Sequence, residues 1–196
     1  REKWQDFAAG VELFIIGLGK KVLLANNFAL VVDKILDSGT YVYAQEMSVA
    51  AAWAAAIGYT LQIYFDFSGY SDMALGLGRM FGFHFLPNFN YPYIARSVTD
   101  FWRRWHISLS SWFRDYVYIP LGGNRVSKQR LVLNLLLVWL LTGLWHGANW
   151  TFIVWGLYYF CFLTLEKLTG LNKLLAKIPL VGNVFTLFVV IIGWVI

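Results

Sequence analysis

The chain has 196 residues, of which 59% are hydrophobic, 19% aromatic and 14% charged, and its net charge is +5. Soluble domains are closer to half apolar and about a quarter charged. This composition excludes an ordinary soluble domain and indicates an integral membrane protein. We expect an all-α, polytopic helical bundle surrounded by membrane lipids.

A single cysteine, Cys161, excludes an internal disulfide and a multi-cysteine metal site. It lies in the apolar stretch YYFCFL, which favours a packed membrane-helix residue over a nucleophile. The chain begins at Arg1 without a signal-like segment and ends inside an apolar run. We therefore expect residues 1–196 to form a single membrane domain within a longer protein.

The first predicted elements precede a clear membrane span. Phe7–Leu36 is apolar but interrupted by Lys20–Lys21 and Asn26–Asn27, which predicts two short helices or one bent helix near an interface. Residues 37–40 carry a turn signal. Met47–Phe65 contains 19 residues without a charge, enough for a helix of roughly 28 Å, close to the hydrocarbon thickness of a bilayer.

The glycine-rich segment Tyr64–Phe83 predicts close helix packing or a broken helix. Its two acids, Asp66 and Asp72, are expected to face protein or water rather than lipid. Proline residues predict a loop over Leu86–Pro92. His84, just before that loop, is interpreted as a packed or interfacial histidine.

Residues 97–118 carry an aromatic stripe at helical spacing, which predicts one amphipathic helix that lies in the interface or lines a cavity. Ser97 or Thr99 is predicted to cap its start, and His106 shares the aromatic face. The stripe consists of Trp102, Trp105, Leu109, Trp112, Phe113 and Tyr116. The charged residues off the stripe are Arg103, Arg104, Arg114 and Asp115.

The positive charge of the chain is concentrated in one block. Residues 96–130 hold seven basic and two acidic residues, which accounts for the whole net charge of +5. A basic block beside membrane spans predicts the cytoplasmic face of the membrane. Nucleic acid is a poor alternative partner, because the block is short and flanked by spans.

Two apolar stretches of 15 residues each, Leu131–Trp145 and Thr151–Leu165, are joined by the sequence HGANW. A break there would place His146 at a helix end inside the membrane layer. The pair predicts either a hairpin with both ends cytoplasmic or a continuous kinked path. Ile178–Ile196 is a further uncharged run.

His106 and His146 are the candidate catalytic residues. An ionisable group at membrane depth is a functional hypothesis by default, although each histidine alone is equally consistent with packing. A buried, neutral imidazole suits general-base catalysis. Neither histidine has a further metal ligand three or four residues away, and a GxSxG elbow, a P-loop and a dinucleotide fingerprint are lacking. We therefore predict neither a metal site nor a tightly bound cofactor.

Three motifs carry a family resemblance: YFDFSGYSDMALGLGRMFGF, TDFWRRWHISLSSWFRDYVYIPLGGNR and LTGLWHGANWTFIVWGLYY. They resemble the core of the membrane-bound O-acyltransferase (MBOAT) family, in its alginate and polysaccharide O-acetyltransferase branch. Peptidoglycan O-acetyltransferases and D-alanyl transfer proteins are relatives. The resemblance covers nearly the whole chain and implies the central and C-terminal part of the core of a longer protein.

The resemblance implies that His146 is the catalytic base and that His106 orients or polarises the acyl donor or the base. It implies a cytoplasmic acyl thioester such as acetyl-CoA as donor and a hydroxyl of an exported polysaccharide, such as alginate, or of peptidoglycan as acceptor. A multi-pass protein of the bacterial inner membrane with an extracytoplasmic partner protein is expected. The candidate substrate-binding residues are Trp102, Arg103, Arg104, Ser110, Arg114, Asp115, Trp145 and Asn149.

Several alternatives stay open at this point. The arginines either attract an anionic donor, order the loop, or form a solvated face that binds lipid phosphate. The acyl group transferred is acetyl, D-alanyl or another. A proton- or ion-linked transporter subunit would instead use Asp66, Asp72 and the histidines as a relay, and a structural scaffold would need none of them.

Overall fold

The computed structural model describes residues 3–36 and 47–196, and within those ranges it contains helices and no β-strand. The all-α prediction is confirmed. The chain divides into two compact units, Arg1–Asn88 and Phe89–Ile196; a single membrane domain over residues 1–196 stays a prediction. The turn predicted at residues 37–40 lies outside the described residues.

The first unit begins with two helices joined without a break. A π-helical segment, Lys20–Ala25, connects α1 (Trp4–Gly19) to α2 (Asn26–Leu36), and the residues on both sides of it keep right-handed helical dihedral angles. A π-helical turn is wider than an α-helical one and is common at functional sites. The stretch predicted as two helices or a bent one is therefore continuous, with the lysine pair at its widened turn.

Helix α3 (Val49–Met80) is 32 residues long and unbroken. It merges the predicted span with the glycine-rich segment, so the broken-helix alternative is wrong and the close-packing alternative is confirmed. A Cβ atom added to Gly10 would lie 2.6 Å from the carbonyl oxygen of Gly76, and one added to Gly69 would lie 2.7 Å from that of Gly17. These glycines allow the backbones of α1 and α3 to touch in antiparallel register.

The two acids of α3 face protein, as predicted. Asp72 pairs with Lys20 and Asp66 pairs with Lys21, so each carboxylate meets an ammonium group of the π-helical segment. His84 follows α3; its Nε2 lies 3.7 Å from Oδ1 of Asp6, and its side chain is exposed. It is a surface histidine rather than a packed one.

The second unit builds the site from six helices and two shorter helical segments within the described residues. Loop residues around Pro87 precede it, as predicted. The helices are α4 (Val98–Arg104), α5 (Ile107–Phe113), α6 (Lys128–His146), α7 (Trp150–Thr169), α8 (Leu171–Lys177) and α9 (Pro179–Val195). The shorter segments are the 3₁₀ turn Pro92–Ile94 and the π-helical segment Arg114–Tyr118.

The prediction of one amphipathic helix over residues 97–118 is wrong, because the helix breaks at Trp105 and His106. Trp105 is extended, with φ −107° and ψ 130°, and His106 is left-handed, with φ 45° and ψ 56°. The break buries Trp105 to 4% exposure while leaving Trp112 and Tyr116 exposed, so the aromatic stripe is divided. Ser97 caps the first piece, as predicted.

Helices α6 and α7 form an antiparallel hairpin. A Cβ on Gly143 would overlap the carbonyl oxygen of Phe152, and one on Gly156 would lie 2.5 Å from that of Trp139. The two contacts share one register, and residues 147–149 form the link between the helices. The hairpin alternative is confirmed and the continuous path is wrong; the cytoplasmic position of its ends stays a prediction.

Within residues 3–36 and 47–196, one helix is long and apolar enough by composition to cross a bilayer, namely α7, and α9 is apolar but has 17 residues. Spans elsewhere remain predictions. Cys161 lies on an exposed part of α7, so its expected packing is wrong.

Candidate active site

Trp102 fixes α4 against the hairpin. The centroid of its ring lies 4.9 Å from that of Trp139, 5.6 Å from Trp155 and 4.8 Å from Tyr159, with steep interplanar angles. Edge-to-face contacts of this kind stabilise aromatic clusters beyond simple burial. The middle of α4 is therefore anchored to the middle of both hairpin helices.

The two ends of α4 meet opposite ends of the hairpin. At its start, the amide nitrogens of Val98 and Thr99 lie 2.8 Å from the carboxylate oxygens of Glu166, near the end of α7. Past its end, the ring of His106 lies 6.0 Å from that of Trp145, near the end of α6. Helix α4 thus runs along the hairpin from its open end towards its link.

A cavity of about 340 Å³ lies in the second unit between the α4–α5 region and the hairpin. One face of α6 lines it over 12 residues, from Leu135 to His146, or roughly 16 Å of helix. The lining residues of α6 are Leu135, Val138, Trp139, Thr142 and His146. Their spacing of three and four residues places them on one side of the helix, and the wall they form is mainly apolar.

His146 ends α6, and its Nδ1 atom lies 2.7 Å from the carbonyl oxygen of Thr142. A carbonyl oxygen only accepts, so Nδ1 carries the hydrogen and Nε2 of the neutral ring holds a lone pair. The ring packs beside Trp145, Phe152 and Trp155. The residue is nevertheless exposed in this chain, so the expectation of a buried imidazole is wrong here.

His106 is half-buried and lines the same cavity as His146. It lies in the link between two helices of seven residues each, which are too short to cross a bilayer. Burial, with a smaller contribution from the nearby His146, lowers the pKa of His106 to about 4. His106 is therefore a neutral hydrogen-bonding group at neutral pH, and the structure brings the two histidines together.

Basic side chains also line the cavity, and Arg103, Arg114 and Lys167 supply them. Nζ of Lys167 donates a 2.7 Å hydrogen bond to the hydroxyl of Tyr118 and lies 4.8 Å from the centre of its ring. Arg114 pairs with Asp115 through two hydrogen bonds of 2.7 and 3.0 Å. Within the described part of the chain, Arg103 and Lys167 form no ion pair with an acid.

Six of the predicted site residues line the cavity, namely His106, His146, Trp102, Arg103, Ser110 and Arg114. The other four lie outside its lining. Arg104 binds Asp100 at 2.9 Å, Asp115 pairs with Arg114 at the surface, and Trp145 flanks both histidine rings. Asn149 caps α7, because its Oδ1 accepts a 3.4 Å bond from the amide of Thr151. The cavity gives no support for substrate binding by these four.

Sequence reasoning missed Glu166 and Lys167. Glu166 is fully buried and holds the start of α4, and Lys167 lines the cavity. The available signal was their position, since they are the two charged residues of the otherwise uncharged helix Trp150–Thr169. A charge at membrane depth marks a candidate functional residue whether or not it belongs to a known motif.

Together, the fold and the cavity define a helical protein with two histidines from separate segments around one aromatic-walled pocket. A sequence model of the membrane-bound O-acyltransferase family matches residues 2–195. The chain belongs to this family.

Bacterial relatives show the branch. The chain is 50% identical, over 97% of its length, to the probable alginate O-acetylase AlgI of Pseudomonas aeruginosa, of which it covers 35%. It is 47% identical over 84% of its length to a peptidoglycan O-acetyltransferase of Helicobacter pylori, covering 30% of that protein. Its identity to a teichoic acid D-alanyltransferase of Bacillus subtilis is 34% over 77% of the chain, covering 37% of that relative. The chain spans about a third of the length of these relatives.

Proposed function

We propose that the full-length protein is a membrane O-acyltransferase that moves an acetyl group from a thioester donor to a hydroxyl of an exported polysaccharide, such as alginate, or of peptidoglycan. The observation that carries this proposal is that His106 and His146, forty residues apart, line one cavity. Identities of 50% and 47% to O-acetylating relatives, against 34% to a D-alanyltransferase, favour acetyl over D-alanyl transfer.

In the proposed reaction, His146 is the general base. Its Nε2 lone pair takes the proton of the acceptor hydroxyl while the hydroxyl oxygen attacks the thioester carbonyl carbon. The tetrahedral intermediate collapses with cleavage of the carbon–sulfur bond, and the departing sulfur takes the proton back from the imidazolium. The bond from Nδ1 to the Thr142 carbonyl oxygen supports this role, because it fixes the tautomer that a base requires.

His106 is the proposed hydrogen-bond donor to the thioester carbonyl oxygen, which gains negative charge when the hydroxyl attacks. A neutral imidazole can donate one hydrogen bond to a carbonyl oxygen, and such a bond stabilises the transition state most when the donor is held in place beforehand. The low pKa of His106 supports donation by a neutral ring rather than by an imidazolium.

The charges of the cavity support an anionic donor. Arg103 and Lys167 both line it and lack acidic partners among the described residues, so the proposed occupant of this part is the phosphate-bearing carrier of an acyl thioester such as acetyl-CoA. A cytoplasmic origin of the donor, an inner-membrane location and an extracytoplasmic partner protein belong to the same proposal. They derive from the basic block and from the resemblance to the family.

The transporter alternative receives less support. Its relay required Asp66 and Asp72, and both carboxylates are engaged by lysine ammonium groups. Each carboxylate therefore already has a charged partner within the first unit.

The test compares His146→Ala with His84→Ala in the full-length protein, reconstituted in proteoliposomes with acetyl-CoA and an oligosaccharide acceptor. Loss of the general base is expected to lower acetyl transfer by about 10²–10⁴-fold, whereas the exposed His84 is the matched control. Free thiol should appear only when an acceptor is present. Equal transfer by both variants at equal abundance would overturn the role of His146.

A further inference from the structure

Glu166 is a fully buried acid that the proposed reaction does not use. Its exposure is 0%, and it lies on α7. A carboxylate is retained in such a place only when hydrogen bonds or charges compensate the lost hydration.

Among the described residues, all three hydrogen bonds of the Glu166 carboxylate go to the first turn of α4. Oε1 accepts from the amide of Val98 at 2.8 Å, and Oε2 accepts from the amide and the hydroxyl of Thr99 at 2.8 and 2.6 Å. The next amide, of Asp100, donates to Oγ of Ser97 at 3.0 Å. The first amides of a helix have no partner inside it, so Glu166 and Ser97 together satisfy this turn.

In the chain, Glu166 follows Val98 by 68 positions and Thr99 by 67 positions. The positive end of the α4 dipole faces its carboxylate. The contact is therefore more than a local cap. It fixes the start of α4 to α7, while Trp102 fixes the middle of α4 to the aromatic cluster. Two anchors on a helix of seven residues leave it little freedom to slide or rotate.

Helix α4 leads directly to the site. Arg103 lies on it, about 8 Å of helix rise from Val98, and His106 follows its end by two residues. A shift at the start of so short a helix would displace both side chains together. His146, on α6, would stay where it is.

We propose that Glu166 is a positioning residue: by holding the first turn of α4 against α7, it sets where His106 and Arg103 lie relative to His146. Its effect on catalysis rests on the proposed function above, whereas its effect on the position of α4 can be measured without any substrate.

The first arm of the test measures that position. In a version of the full-length protein whose native cysteines are replaced by serine, spin labels are attached through Ser111→Cys on α5 and Leu168→Cys on α7. Glu166→Gln turns one acceptor oxygen into an NH₂ group that faces amide hydrogens, so the distance distribution should shift and broaden. Thr164→Val is the matched control, because the buried hydroxyl of Thr164 has no hydrogen-bond partner among the residues that the structure describes. An unchanged distribution in Glu166→Gln would overturn the proposal.

The second arm measures acetyl transfer per folded protein. We expect kcat of Glu166→Gln to fall about 10–100-fold, as displacements near 1 Å do elsewhere, and the donor KM to rise with it because Arg103 moves too. Glu166→Asp, which keeps the carboxylate, should show a smaller fall in kcat and a smaller rise in the donor KM than Glu166→Gln. A loss confined to the amount of folded protein, with kcat and KM unchanged, would contradict positioning. If the wild-type protein transfers no acyl group, the proposed function fails, and the distance measurement still decides the role of Glu166.

Discussion

The Nδ1 atom of His146 is bonded to the carbonyl oxygen of Thr142, one turn earlier in the same helix, at 2.7 Å. The helix itself thus orients the candidate base, since the acceptor is a backbone group that no side-chain substitution removes. Thr142 lies four residues, about one helical turn, before His146, so its carbonyl oxygen is within reach of the imidazole. The position of His146 at the end of α6 is therefore part of the site.

The role of His106 predicts an asymmetry between two substitutions. His106→Asn keeps a neutral hydrogen-bond donor, whereas His106→Leu removes it, so the leucine variant should lose about 10²-fold or more in kcat and the asparagine variant less. Steady-state acetyl transfer by the full-length protein measures both. Equal losses would show that His106 does not act through a hydrogen bond.

The pKa of His106 predicts a pH profile. With a value of about 4, its ring stays neutral until the pH falls through that value, so it contributes no inflection between pH 6 and 8. The acid limbs of kcat against pH for the wild type and for His106→Asn should coincide in that range. A limb that disappears in the asparagine variant would instead assign the titration to His106.

The basic lining predicts a donor-binding effect. Arg103→Gln and Lys167→Gln should each raise the donor KM about 5–20-fold with a smaller change in kcat, because a charge-assisted hydrogen bond is worth about 1–2 kcal/mol. Raising the salt concentration should weaken donor binding less in the variants than in the wild type. Lys173→Gln, on α8 and absent from the cavity lining, is the control and should leave the KM unchanged.

The hairpin predicts a stability effect. Gly143→Ala adds a methyl group against the backbone of Phe152, and overpacking of this kind typically costs about 1–3 kcal/mol. Gly19→Ala is the matched control, because a Cβ there meets nothing within 4 Å and alanine favours a helix. Thermal unfolding in detergent should show a lower midpoint for Gly143→Ala alone. Equal midpoints would contradict the close contact between α6 and α7.

Several features could be predicted from local sequence because they depend on composition and on neighbours along the chain. The apolar runs predicted a helical protein, and the glycine after His146 predicted the end of α6. Ser97 predicted the start of a helix. The basic charges between residues 96 and 130 indicated an anionic ligand or lipid, and two of those arginines line the cavity.

Other features depend on contacts between distant segments, which periodicity does not encode. The break at His106 puts a non-glycine residue at φ 45°, a conformation that local preference disfavours and that surrounding packing must enforce. The choice of a hairpin over a kinked path came from glycine contacts between α6 and α7. The tie from Glu166 to α4 spans more than sixty residues.

The sequence by itself determined a helical membrane protein with two candidate histidines, because hydrophobicity and motif spacing are local properties. Only the tertiary structure decided that these histidines line one cavity and that Lys167 joins Arg103 there. It also decided that Glu166 holds the start of α4. The physical reason is burial. Polar groups inside a folded unit are hydrogen-bonded, and their partners come from whichever distant segment packs against them.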